Sequence, residues 1–152
     1  MMYLDLAKFT AYLTIVTGMF FLLTILYWQI YPYDTFELNT ENAAIYPKEI
    51  NPGGFAIVVM DYCKGTKQSA KVNKHLHFSD SVVASCPSTV LYRYPTVLSS
   101  FAKGCRTSEI LVSIPESVTP GFYYLEFESI YQMNPIREEK VVFLSEVFEV
   151  KE

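Results

Sequence analysis

Between Phe9 and Tyr33 the chain carries no charged side chain, and this run constrains every later choice about the fold. It reads F-T-A-Y-L-T-I-V-T-G-M-F-F-L-L-T-I-L-Y-W-Q-I-Y-P-Y. At a rise of 1.5 Å per residue, about 20 apolar residues in a helix cross a hydrocarbon layer of roughly 30 Å. The run is longer than the h-region of a cleaved signal peptide, which spans about 7–15 residues. Asp5 stands with Lys8 ahead of it, and Tyr27-Trp28-Gln29-Ile30-Tyr31-Pro32 offers no small-x-small cleavage site. The expected layout is a short N-terminal end over 1–8, a transmembrane helix over 9–31 and a folded domain over 34–152.

Lys8 and the amino terminus cast the vote on orientation, because the acidic Asp34 and Glu37 beyond the run count for little. They place the N-terminus in the cytoplasm and the C-terminal domain in a periplasmic or extracellular space. Tyr27, Trp28, Tyr31 and Tyr33 gather at the exit end, where amphipathic rings prefer the headgroup zone. Pro32 is expected to stop the helix. Ala7, Ala11, Thr14 and Gly18 share one helical face, a surface narrow enough for a second helix to pack against, although no Gly-x-x-x-Gly is present. With no ionisable group inside the run, a proton or ion path through it is not expected.

The remaining residues, roughly 115–120, suffice for one hydrophobic core without metal or disulfide support. They are rich in Val, Ile, Phe and Tyr, which favour strands. Charged residues make up 18% of the chain and the net charge is −4, with no concentrated basic patch, so nucleic-acid binding is not expected. Strands are expected at Thr35–Thr40, Phe55–Tyr62, Val72–Phe78, Ser81–Ala84, Thr89–Tyr94, Ser108–Ile114, Phe122–Tyr131 and Val141–Val150. Phe55–Tyr62, the most apolar of them, is expected at the centre. Asn42–Pro52 reads as a connection, Asn51-Pro52-Gly53-Gly54 as a turn and Lys64–Lys71 as a solvated basic loop. Only a residue or two separates the membrane exit from the first strand, which keeps the domain close to the bilayer.

One segment, I-P-E-S-V-T-P-G-F-Y-Y-L-E-F-E-S-I-Y from Ile114 to Tyr131, resembles a unit of immunoglobulin-like sandwiches. There an apolar strand ends in a proline-glycine turn and returns through a tyrosine-rich strand. The resemblance extends to architecture from Phe36 to Val150 and implies an all-β, immunoglobulin-like β-sandwich of about seven strands behind the single N-terminal transmembrane helix. The Cys-Trp-Cys framework of antibody domains is missing, since the one tryptophan lies in the apolar run. The layout of short end, single span and compact head also resembles small membrane proteins of bacteria and their phages.

Three cysteines, Cys63, Cys86 and Cys105, leave one over from any intrachain pair. Outside the cytoplasm a disulfide is expected. Cys86–Cys105 is the favoured pairing, closing a loop of about 20 residues for roughly 3 kcal/mol. Cys63–Cys86 and Cys63–Cys105 are the alternatives, and Cys63 also reads as a buried small hydrophobe.

His75 and His77 fall on one strand face with Asn73, a spacing that can begin a metal site with Asp80 or a thiol. Structural zinc wants four ligands and no paired Cys-x-x-Cys stands nearby, so two solvent-facing histidines, with no metal and no cofactor, are the expectation. An anchored β-sandwich also resembles a respiratory oxidase subunit, but the copper cluster of those proteins needs late histidines that this chain does not have. No Gly-x-Ser-x-Gly elbow, His-Glu-x-x-His helix or phosphate-binding glycine loop occurs, and Glu126 with Glu128 reads as the polar side of a half-exposed strand. The chain is therefore not expected to be an enzyme.

Tyr92, Tyr94, Tyr123, Tyr124 and Tyr131 exceed what one sandwich core accommodates: either they line the sandwich and its edges, or some of them form an interaction surface. Function is expected to be protein–protein assembly, with itself or with a partner, by a membrane-anchored structural or recognition module. A phage or virion membrane component is included in that class. The alternative is an accessory single-span subunit of a larger membrane enzyme or transporter.

Overall fold

A computed structural model describes residues 2–30, 36–38, 43–79, 90–99 and 102–151. The chain is mostly β, with one long apolar helix at its N-terminus. It divides into two compact units, Met1–Pro32 with Asn134–Arg137, and Tyr33–Met133 with Glu138–Glu152.

Helix α1 runs Met2–Ile30. Its stretch Ala7–Ile30 has mean hydropathy 2.0 and is long and apolar enough to cross a membrane. Phe20, Phe21, Leu22 and Leu23 are all more than half exposed, which in water would be an unfavourable surface and in hydrocarbon an ordinary one. Thr10, Thr14 and Thr24 turn their hydroxyls back onto the carbonyls of Ala7, Thr10 and Phe20, which satisfies them within the helix. The exit-end residues Tyr31, Pro32 and Tyr33 lie outside the described residues.

Among the described residues eleven strands follow the helix, in a four-stranded and a seven-stranded sheet. The first sheet holds β1 (Phe36–Leu38), β2 (Ala44–Tyr46), β4 (Phe55–Lys64) and β8 (Gly104–Ser113). The second holds β3 (Glu49–Ile50), β5 (Ala70–Phe78), β6 (Val90–Arg93), β7 (Val97–Ser99), β9 (Gly121–Asn134), β10 (Arg137–Leu144) and β11 (Phe148–Val150). As its hydrophobicity implied, β4 is central in its sheet, pairing with β1, β2 and β8. β9 has the same role in the second sheet, with β5, β10 and β11 as partners.

Alternation builds the core. Ala56, Val58, Met60 and Tyr62 of β4 are buried, and so are Leu125, Phe127 and Tyr131 of β9 and Val72 and Leu76 of β5. Phe127 stacks on Phe143 of β10 at 4.9 Å and 2°. The turn at Pro52-Gly53 is closed by the Gly54 amide donating to the Asn51 carbonyl at 2.9 Å. Gly53 at φ 78° occupies the position where a type II turn demands glycine.

Several expectations are corrected. The 42–52 connection contains two strands, β2 and β3, on different sheets, and β3 pairs in parallel with β11. Strands of three and two residues are too short for alternation to register, which conceals them from the sequence. The 141–150 strand is two, β10 and β11, separated around Ser145, whose amide donates to the Leu125 carbonyl. Lys64 is not in a solvated loop but is the buried end of β4, its ammonium donating to the Gln68 carbonyl at 2.6 Å and lying over the Tyr131 ring. The Ser81–Ala84 strand falls outside the described residues.

Candidate functional site

Strand β4 is apolar on both faces, and that property creates an exposed apolar surface on the β unit. Its even positions 56–62 face the core, so Phe55, Ile57 and Val59 face outward. The antiparallel register sets Ile57 between Tyr46 of β2 and Leu111 of β8. This cross-strand row is exposed: Tyr46 by 55%, Ile57 by 39% and Leu111 by 62%, with Phe55 beside it at 59%. Farther along the same face the surface turns polar, with Glu109 opposite Val59 and the Thr107 hydroxyl hydrogen-bonded to Asp61. Contiguous exposed apolar side chains with a polar border mark interaction surfaces in soluble domains.

The tyrosines expected to form such a surface divide differently. Tyr123, Tyr124 and Tyr131 are buried, and only Tyr92 and Tyr94 have exposed area, packed edge to face at 4.8 Å. The cause is in the fold: Tyr123 and Tyr131 point between the two sheets, and Tyr124 is covered on the other face by the His77 ring. Tyr123 donates its phenol to the Thr119 carbonyl at 2.7 Å. Burial raises the Tyr62 phenol, and pushes Tyr131 up to about 12 with Tyr62 adding to the effect, so both remain neutral.

On the outer side of the second sheet, β5 and β9 bring charged groups together. His75 lies directly opposite Glu126, and His77 opposite Tyr124. His75 Nδ1 is 3.7 Å from Glu126 Oε1, and His77 Nε2 is 3.1 Å from Glu126 Oε2. The expectation of two solvent-facing histidines fails for His77, which is 5% exposed and stacks flat on Tyr124 at 5.0 Å. Glu128, two residues on, is otherwise engaged. The Lys140 ammonium pairs with it and the Asn73 amide donates to it at 2.7 Å, and these bonds, Lys140 first, hold its carboxyl below the usual range. Asp80, the ligand the sequence offered, lies outside the described residues. Glu126, read from the sequence as the polar side of its strand, was not linked to the histidines because only strand register brings it to them.

A cleft of about 660 Å³ in the β unit is lined by Tyr62, Lys74, Arg106, Ser108, Phe127 and Ser129 among others. Burial lowers the Lys74 ammonium, which lies over the Tyr94 ring. The described lining residues supply cations and hydroxyls.

Cys63 and Cys105 are bonded to each other, opposite one another on β4 and β8 with Cα atoms 4.0 Å apart. The favoured Cys86–Cys105 pairing is thereby replaced. Loop length ranked the pairs in the sequence, whereas strand register selects them in the fold, and Cys86 lies outside the described residues. On α1, Ala7, Ala11, Thr14 and Gly18 are all exposed, and a Cβ added at Gly18 would meet nothing within 4 Å.

No protein-family model matches the chain, and no curated protein matches it by sequence. Among solved structures it is similar to the Pseudomonas fluorescens alkylpurine DNA glycosylase AlkC bound to DNA containing an abasic site analog. The identity is 10% and the TM-score 0.39, and the match covers 82% of this chain and 32% of that one.

Proposed function

We propose that the chain is a non-enzymatic, membrane-anchored assembly module whose apolar outer sheet face, Tyr46–Ile57–Leu111 with Phe55, binds protein. That exposed row carries the reading, because burying it removes apolar surface from water at about 25 cal/mol per Å². Helix α1 is the anchor, and Lys8 with the amino terminus favours a cytoplasmic N-terminus and an extracytoplasmic domain. The Cys63–Cys105 bond supports the same side, since disulfides persist in oxidising compartments.

Strand connectivity supports an immunoglobulin-like sandwich. β2 and β3 divide one edge segment between the two sheets, and β3 runs parallel to the last strand. Tyr123, near the start of β9, hydrogen-bonds the backbone four residues upstream, the arrangement of a tyrosine corner. A structural component of a bacterial envelope or of a phage or virion membrane is the setting this combination fits.

Leu111→Glu tests the face. In mild detergent the native chain is expected to run with copies of itself or with a protein partner. The substitution should weaken that association roughly 10- to 100-fold, and Val142→Glu, an exposed position on β10, should not. A native chain that is monomeric and partner-free, or an association indifferent to Leu111→Glu, refutes the proposal. The bare Ala7–Ala11–Thr14–Gly18 face favours a second reading, an accessory subunit packed on a polytopic membrane protein. Stoichiometric recovery of such an enzyme or transporter with the chain would favour that reading, whereas homo-oligomers or virion proteins favour the first.

A further inference from the structure

We propose that His75, His77 and Glu126 form a binding site for a divalent first-row transition metal, with zinc as the best-matched ion. The three ligand atoms lie within 4.8 Å of one another. Zinc holds imidazole nitrogen at about 2.0–2.1 Å and carboxylate oxygen at about 2.0–2.2 Å, so tetrahedral donors stand roughly 3.3 Å apart. The two histidine–glutamate separations, 3.1 Å from His77 to Oε2 and 3.7 Å from His75 to Oε1, bracket that value, one at each carboxylate oxygen. To close on one ion the imidazoles approach each other and the carboxylate turns an oxygen between them, both side-chain movements on strands already joined by the ladder.

Three features make the cluster a site rather than a chance gathering. His75 and Glu126 are held in direct register, and His77 is the diagonal neighbour two residues along the same face. The Tyr124 ring, stacked at 6° to His77, fixes the plane of the buried imidazole. Glu126 remains available because Lys140 and Asn73 are bound to Glu128. Exposure is graded, with side-chain values of 7% for His77, 20% for His75 and 25% for Glu126. The buried histidine forms the floor, and the open side leaves a coordination position for water or for a side chain from a partner. Two imidazoles and one carboxylate with an open position are a donor set that suits zinc and its neighbours over calcium or magnesium, which prefer all-oxygen shells.

Cobalt(II) is the probe, because its visible absorption reports coordination directly. The full chain, purified in detergent without a polyhistidine tag and treated with chelator, is titrated with Co²⁺ and then with Zn²⁺. The expected result is an absorption band that saturates at one equivalent per chain and is bleached by Zn²⁺. His75→Ala and Glu126→Gln, both at partly exposed positions, should weaken Co²⁺ binding by more than the 10- to 100-fold that loss of an outer-shell partner costs. Glu128→Gln should keep the band. Circular dichroism and an intact Cys63–Cys105 bond identify folded variants, and the native-chain titration stands without any variant. A native chain with no saturable band, or a band that survives both His75→Ala and Glu126→Gln, overturns the proposal.

Discussion

Replacing Cys63 and Cys105 together by serine is expected to lower the unfolding free energy of the β unit by about 4 kcal/mol. The bonded residues are separated by 42 positions, and the chain-entropy cost that the crosslink removes from the unfolded ensemble grows with the logarithm of that loop. Because the two residues already face each other on β4 and β8, losing the bond leaves the ladder intact and acts mainly on the unfolded chain. Denaturant titration of native and doubly substituted chains, followed by circular dichroism, should show a large drop in midpoint. Peptide mapping without reductant should find Cys63 linked to Cys105 and Cys86 outside that link. Equal midpoints, or a linked peptide containing Cys86, would contradict the assignment.

Phe127→Ala is expected to destabilise the same unit by about 3–5 kcal/mol, the cost of removing a fully buried ring and leaving its cavity. Phe127 is completely enclosed on β9 and lies flat against Phe143, so the truncation removes apolar burial and a ring–ring contact together. The Phe143→Ala change should cost less on the Phe127→Ala background than on the native one, because the stacked partner is already gone. A midpoint shift at unchanged denaturant dependence would place the effect in stability. A loss below about 1 kcal/mol would mean that the core does not close on this ring.

How far the sequence reveals this molecule differs from element to element. The apolar helix needed no structure: an uncharged run this long has few alternatives, and α1 contains it through Ile30. Phe55–Lys64 was legible as a continuous apolar run between turn signals, and Gly121–Asn134 from the alternation of L-E-F-E within it. β2 and β3 were not, since strands of three and two residues carry too little pattern. What joins distant strands was left open, Cys63–Cys105 being only one of the alternative pairings. The Cys63–Cys105 bond and the approach of Glu126 to His75 both depend on register between strands far apart in sequence, and single-strand periodicity says nothing about it.

The proposed interaction face illustrates the same limit in a different way. Tyrosine number drew attention to Tyr123 and Tyr131, which the core absorbs, and to Tyr124, which is buried against His77 on the outer side of the sheet. The better signal was the lack of alternation at F-A-I-V-V in β4. A central strand that is apolar on both faces, in a unit whose inner face alone is needed for the core, must present apolar side chains outward. Phe55 and Ile57 are the ones it presents.

Anchoring by α1 underlies every other functional statement, and alkaline carbonate extraction of membranes carrying the full chain tests it most directly. An integral, uncleaved anchor keeps the chain in the membrane pellet, with an intact mass that includes Phe9–Tyr33. Release into the supernatant, or a pelleted chain whose mass shows the apolar run removed, would contradict it.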